Sequence, residues 1–144
     1  MNITREQLLL YAVTDRSWLK GETLYEQVER ALKVGVTLVQ LREKELSEPE
    51  FEAEGRSLLE LCHRYRVPLI INDNVELAER IGADGVHVGQ SDMELTRARK
   101  ILGTDKIIGV TAKTVEQAQA AERAGADYLG SGAVFGSSTK TDAK

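Results

Sequence analysis

Residues 69–93 read L-I-I-N-D-N-V-E-L-A-E-R-I-G-A-D-G-V-H-V-G-Q-S-D-M. Two short apolar runs, 69–71 and 85–88, lead straight into polar residues: Asn72 and Asp73 after the first, Gln90 and Asp92 after the second. Between them Val75, Leu77, Ala78 and Ile81 have helical spacing, and Gly82 supplies the stop. Strand, short helix, strand predicts a parallel pair, because a helical crossover returns the chain to the same end of the sheet. Asp73 and Asp92 then leave the C-terminal ends of adjacent strands, the edge where parallel α/β folds place their sites.

The pattern continues in both directions. Upstream, Thr4-Arg5-Glu6-Gln7 reads as a capping box for a short leading helix, followed by a first strand over residues 8–13. Thr23 can cap a helix with Leu24, Val28, Ala31 and Leu32 on its inner stripe, stopped at Gly35. Residues 36–41 form a buried-strand run that ends in Arg42-Glu43-Lys44. Ser47 then caps a long helix with Pro49 in its first turn and Phe51, Leu58, Leu59, Leu61 and Cys62 turned inward. Downstream, a helix over 93–102 is closed by Gly103, and a strand over 106–110 leads to Thr111. A helix over 114–124 buries Val115, Ala118 and Ala121, and a sixth strand covers 127–129. The glycine- and hydroxyl-rich stretch G-S-G-A-V-F-G-S-S-T-K-T-D follows at 130–142. I-G-A-D-G-V-H-V-G at 81–89 is echoed by A-G-A-D-Y-L-G-S-G at 124–132, which suggests a sheet built by iterating βα units.

An apolar fraction of 42% can fill one core, and a net charge of −4 argues against a general nucleic-acid binder. The single cysteine, Cys62, gives neither an internal disulfide nor a zinc-ligand set. No apolar run approaches the roughly 18 residues of a membrane span and no signal-peptide pattern opens the chain, so a cytoplasmic location is expected.

Six strands alternating with helices predict an α/β fold with a parallel sheet. Length alone favours a flavodoxin-like open sheet, since a (β/α)₈ barrel usually needs about 200 residues or more. The strand tips carry the chemistry. Gln40, Arg42 and Lys44 follow strand two, Asn72 and Asp73 strand three, Gln90 and Asp92 strand four, and Thr111 strand five. Ser137, Ser138, Thr139 and Lys140 follow strand six. Two carboxylates with Arg42, Lys44 and Lys140 suit a polyphosphate held by Mg²⁺, which takes one or two protein carboxylates and fills its other positions with water and phosphate. Plainer readings stand beside these: Asp73 and Asp92 can each serve as helix N-caps. His87 reads as a packed neutral imidazole, His63 as solvated, and Trp18 and Cys62 as packing residues.

Tyr11-Ala12-Val13-Thr14-Asp15, Gln40-Leu41-Arg42-Glu43-Lys44, Ile71-Asn72-Asp73, residues 85–92 (G-V-H-V-G-Q-S-D) and Thr139-Lys140-Thr141-Asp142 fall in this order along the chain. Together they resemble the thiamine-phosphate synthase family over essentially the whole length. The resemblance implies a (β/α)₈ TIM barrel that joins hydroxymethylpyrimidine diphosphate to thiazole phosphate with loss of pyrophosphate. It implies a dissociative mechanism in which the departing diphosphate leaves a pyrimidine methylene cation for the thiazole nitrogen to attack. It further implies Gln40 and Lys44 as contacts of the pyrimidine diphosphate substrate, with Arg42 in the same segment, and Asn72 as a contact of the pyrimidine substrate. Thr111 and Lys140 would touch the diphosphate, Ser137 and Thr139 the thiazole phosphate, and Asp73 and Asp92 the Mg²⁺. Arg42, Lys44 and Lys140 would then be the catalytic cations. Against that family, residues 1–144 read as a single barrel domain lacking its last two βα units. Taken alone, they are expected to have little or no activity.

Two rival readings remain at this point. A thiazole tautomerase-like relative would share the barrel but use proton transfer without a metal; Asp73 and Asp92 together with Lys44 and Lys140 favour the synthase. A non-catalytic phosphate-binding module on an open sheet would want a phosphate loop after strand one, where Thr14-Asp15-Arg16-Ser17-Trp18 is poor in glycine and hydroxyls. The expected partners are small molecules, with a homo-oligomer allowed and neither nucleic acid nor membrane involved.

Overall fold

In a computed structural model, described for residues 1–90 and 94–136 and for the backbone of 92 and 93, six parallel strands alternate with five α-helices. The strands are β1 (Tyr11–Val13), β2 (Leu38–Leu41), β3 (Leu69–Asn72), β4 (Gly85–Val88), β5 (Ile107–Thr111) and β6 (Tyr128–Gly130). The helices are α1 (Leu24–Lys33), α2 (Glu48–Arg64), α3 (Val75–Ile81), α4 (Asp92–Leu102) and α5 (Val115–Arg123). The sheet order is β1-β2-β3-β4-β5-β6. A doubly wound sheet reverses direction at a switch point and places an early strand in its middle. Here each strand simply pairs with the next, the order of a barrel wall, and the flavodoxin-like alternative falls on that observation.

Curvature is visible in the side chains. The Tyr11 ring on β1 meets the Tyr128 ring on β6 edge to face, with centroids 5.6 Å apart, although no strand pairing joins β1 to β6. Strand alternation sorts residues into two cores. Val39, Leu41, Leu69, Ile71, Val86, Val88, Ile108 and Val110 pack outward against the helices. Leu38, Ile70, Ile107 and Tyr128 pack inward, with Ile3 plugging the N-terminal end.

The echo at 81–89 and 124–132 is a repeated joint. Asp84 Oδ2 accepts the Leu69 N–H at 2.8 Å, and Asp127 Oδ2 accepts the Ile108 N–H at 2.8 Å. Each aspartate thus satisfies the backbone at the bottom of the preceding strand, where an unpaired buried N–H would be costly. Each is met by a basic side chain from the helix before that strand: His63 Nε2 lies 2.8 Å from Asp84 Oδ2, and Arg99 Nη2 donates to Asp127 Oδ2 at 3.1 Å. His63 therefore has a partner rather than only solvent. At the second joint the Asn2 N–H adds a bond to Asp127 Oδ1 at 2.8 Å, tying the N-terminal segment across the barrel floor.

Local signals set most element ends. Thr23 and Thr114 cap α1 and α5, Ser47 and Glu50 form a reciprocal capping box at α2, and Gly82 ends α3 in the left-handed region at φ 72°. Several expectations change. Thr4 and Gln7 do exchange bonds, but they close a turn, not a helix. Residues 8–10 lie outside β1 and are exposed. Val115 is 68% exposed, and Ala121 is the one buried residue of α5. Trp18 is 59% exposed, so it is not a core residue here, whereas Cys62 is fully buried and its thiol is pushed up to about 12 by that burial. Among the described residues no helix is long and apolar enough to cross a membrane.

Candidate functional site at the C-terminal mouth

Gln40, Asn72, His87 and Thr111 project inward from β2, β3, β4 and β5, and a single register row runs Asn72, His87, Gly109, Tyr128. At the rim, Lys44 Nζ donates to Asn72 Oδ1 and to Asp73 Oδ2, both at 3.0 Å. Behind it, Asn72 Nδ2 donates to Gln40 Oε1 at 2.9 Å, and Gln40 Nε2 donates to the Tyr11 hydroxyl at 2.8 Å. The two tyrosine hydroxyls are 2.6 Å apart. Tyr128 Oη lies 2.9 Å from His87 Nδ1, and His87 Nε2 lies 2.9 Å from Thr111 Oγ1. A continuous polar chain therefore crosses the barrel from Lys44 on one side of the mouth to Thr111 on the other.

Backbone geometry presents Asp73. It sits at φ 61°, a left-handed conformation that aspartate tolerates better than most residues, and its N–H is held by the His87 carbonyl at 2.9 Å. Helix capping falls to the next residue, since Asn74 Oδ1 accepts the Leu77 N–H at 3.0 Å. The Asp73 carboxylate is consequently released from the capping role that the sequence left open to it, and it stands at the mouth with 59% of its side chain exposed.

Arg42 is at the β2 tip, with its N–H on Thr14 Oγ1 at 3.0 Å. Its charge acts on Asp15, whose carboxyl is held below its ordinary range first by the Ser17 hydroxyl and N–H and to a smaller extent by Arg42. Gln90 Nε2 donates to the Thr111 carbonyl, joining the β4 and β5 tips. The Asp92 side chain and all of Ser137, Thr139 and Lys140 lie outside the described residues.

Three contributors were not singled out from sequence: Tyr11, Tyr128 and the linking role of His87. The echo carried a signal for two of them. Aligning its halves sets Gly85 against Tyr128 and His87 against Gly130, a large-for-small exchange of the kind that fills facing positions in a packed interior. Gly109, between them in the register, is required: a Cβ built there would collide with the Tyr128 ring. Below Lys44 a second feature was missed. Arg16 bridges Glu43 Oε1 at 2.8 Å and Glu54 Oε1 at 2.5 Å, and burial together with the neighbouring Glu54 carboxyl pushes Glu43 up to about 7.

A wall of consecutive parallel strands with cation, carboxylate, amide and hydroxyl groups at its C-terminal mouth defines a (β/α)-barrel protein with its polar side chains gathered where such barrels place their sites. The chain belongs to the thiamine monophosphate synthase family, whose model matches residues 10–144. It is 56% identical over 135 residues to thiamine-phosphate synthase of Clostridium acetobutylicum, covering 94% of this chain and 64% of that one. It is 51% identical over 137 residues to the Clostridioides difficile thiamine-phosphate synthase, covering 95% and 65%. Thiamine phosphate pyrophosphorylase from Pyrococcus furiosus superposes with a TM-score of 0.84 at 36% identity, over 94% of this chain and 65% of that chain. A candidate dihydrodipicolinate synthetase of Pseudomonas aeruginosa matches at TM-score 0.62 and 16% identity, over 85% and 55%, and shows the barrel fold alone. The chain thus spans just under two thirds of the length of these curated relatives.

Proposed function

We propose that this chain carries the diphosphate-binding side of a cytoplasmic thiamine-phosphate synthase, within a single TIM-barrel domain. The reaction would condense hydroxymethylpyrimidine diphosphate with thiazole phosphate, giving thiamine phosphate and pyrophosphate. The observation that carries the reading is the Lys44 ammonium shared by Asn72 and Asp73 at the mouth, with Gln40 behind it and the Thr111 hydroxyl across from it.

Such a reaction asks for neutralisation of a leaving group and exclusion of water, not for an activated nucleophile. Lys44 and Arg42 place two positive charges at the β2 tip, where oxygens of the departing diphosphate would lie. Thr111 adds a hydroxyl donor, and Asn72 and Gln40 present amides to the pyrimidine edge. Lys140, Ser137 and Thr139 are proposed to complete the phosphate contacts.

The donor set fits magnesium. Among the described residues no group of three or more His, Cys, Asp or Glu side chains is placed to hold a metal. Magnesium needs only one or two protein carboxylates, and Asp73 offers one at the mouth, freed from capping, more than half exposed and paired there with Lys44. Asp73 and Asp92 are the residues proposed to hold it. When bound, the ion supplies further charge neutralisation for the diphosphate.

The test is pyrophosphate release by the full-length protein given both substrates and Mg²⁺. Lys44→Ala should lower kcat/KM by about a hundredfold, the scale of losing one preorganised charge contact to the transition state. Turnover unchanged by Lys44→Ala, or no turnover in the unaltered protein, would overturn the assignment.

A further inference from the structure

The polar chain across the barrel has a direction, and the direction follows from proton counting. An ammonium only donates, so Lys44 obliges Asn72 to present Oδ1 and leaves Nδ2 for Gln40. Gln40 must then accept through Oε1 and donate through Nε2 to Tyr11. Tyr11 has one proton. If Tyr128 donated to it, Tyr11 would accept twice and its own proton would have no acceptor among the described residues of the interior. Tyr11 therefore donates to Tyr128, and Tyr128 donates onward to His87 Nδ1. The imidazole carries its proton on Nε2 and gives it to Thr111 Oγ1. The hydroxyl proton of Thr111 finds no acceptor among the described residues and is available to the mouth.

We propose that Tyr11, Tyr128 and His87 are positioning residues: with Gln40 and Asn72 they transmit the donor direction set by Lys44 through the barrel, fix His87 as the Nε2–H tautomer and turn the Thr111 hydroxyl into an obligatory donor toward an anionic ligand oxygen. The inference rests on the proposed function for the identity of that anion, a diphosphate, but the tautomer does not depend on it. Packing supports a device held in place. The Tyr128 ring lies 5.5 Å from the imidazole, Gly109 leaves the room that ring needs, and a Cβ at Gly130 would come within 3.1 Å of His87 Cε1. Both tyrosines are pushed up by burial, so each remains a neutral donor. A hydroxyl whose rotor is already set gives up less freedom when it binds, which is the usual benefit of preorganisation.

The deciding experiment is ¹⁵N NMR of the full-length protein without ligand, with His87 resonances identified by their loss in His87→Gln. A pyridine-like Nδ1 and a pyrrole-like Nε2 are expected; the reverse pattern, or a rapidly exchanging mixture, overturns the proposal. Binding of inorganic pyrophosphate supplies an independent arm. Tyr128→Phe keeps the ring and removes the donor, and should weaken pyrophosphate about five- to tenfold, on the scale of one oriented hydrogen bond. Thr111→Val should weaken it by a similar factor and Thr111→Ser should restore it. The double variant Tyr128→Phe/Thr111→Val should be no worse than Thr111→Val alone, because both act through one hydroxyl. Additive losses would overturn the relay. If the unaltered protein fails to bind pyrophosphate, the proposed function falls, and the tautomer measurement still decides this inference.

Discussion

Replacing Asp127 by alanine tests the repeated joint from which the barrel is built. The Asp127 side chain is 4% exposed and satisfies three donors: the Ile108 N–H, the Asn2 N–H and Arg99 Nη2. Ile108 is fully buried, so its N–H would be left without an acceptor, at about 1–3 kcal/mol. Arg99 would lose its carboxylate but keep the Gly103, Lys106 and Gly125 carbonyls, which limits that part to about 1 kcal/mol. The Asn2 N–H lies near the surface and can turn to water. The expected loss is about 3 kcal/mol, within the range seen when buried polar networks are broken. Asp84 is the internal control. It makes the equivalent bond to Leu69, but its side chain is 28% exposed and its partner is a half-exposed histidine, so Asp84→Ala should cost about half as much. Urea unfolding of the full-length protein, with unchanged m-values, reads both. A cost below about 1 kcal/mol for Asp127→Ala, or a larger cost for Asp84→Ala, would refute the reasoning.

Glu43 makes stability fall with rising pH. Its native pKa is raised from 4.5 to about 7, so the native state holds a proton that the unfolded chain has already lost. Its contribution is therefore largest below the unfolded value, declines as pH rises through that window, and levels off above about 7. The difference in urea midpoint between the unaltered protein and Glu43→Gln should change across this window, and a pH-independent difference would contradict it. Gly109→Ala should drive the Tyr128 ring from its place, destabilising by about 1–3 kcal/mol as overpacking does. It should also lower pyrophosphate affinity, and full retention of both properties would show that the interior yields more easily than its geometry implies.

The strand tips were legible because alternation and turn residues are local signals. The runs at 69–71 and 85–88 became β3 and β4, and Gln40, Lys44, Asn72, Asp73 and Thr111 all reached the mouth. Strand order was not legible from periodicity, since the same βα units build an open sheet or a barrel wall. Length pointed to the open sheet, and the family resemblance pointed correctly to the barrel. The contact between Tyr11 and Tyr128 was not legible because 117 residues separate them and only the curvature of the wall brings their hydroxyls together. The Asp73 cap ambiguity was settled by its neighbour, since Asn74 takes the Leu77 N–H and caps α3 instead. Val115 and Trp18 misled for a common reason: apolar character marks what can be buried, while exposure depends on which neighbour arrives.

The most direct measurement of the central claim is calorimetric binding of inorganic pyrophosphate to the full-length protein, with and without Mg²⁺, for the unaltered chain and for Asp73→Asn. The account predicts tight binding only with Mg²⁺, and a loss of about tenfold or more in Asp73→Asn that is confined to the Mg²⁺ condition. Equal affinity in both proteins, or binding indifferent to Mg²⁺, would contradict it.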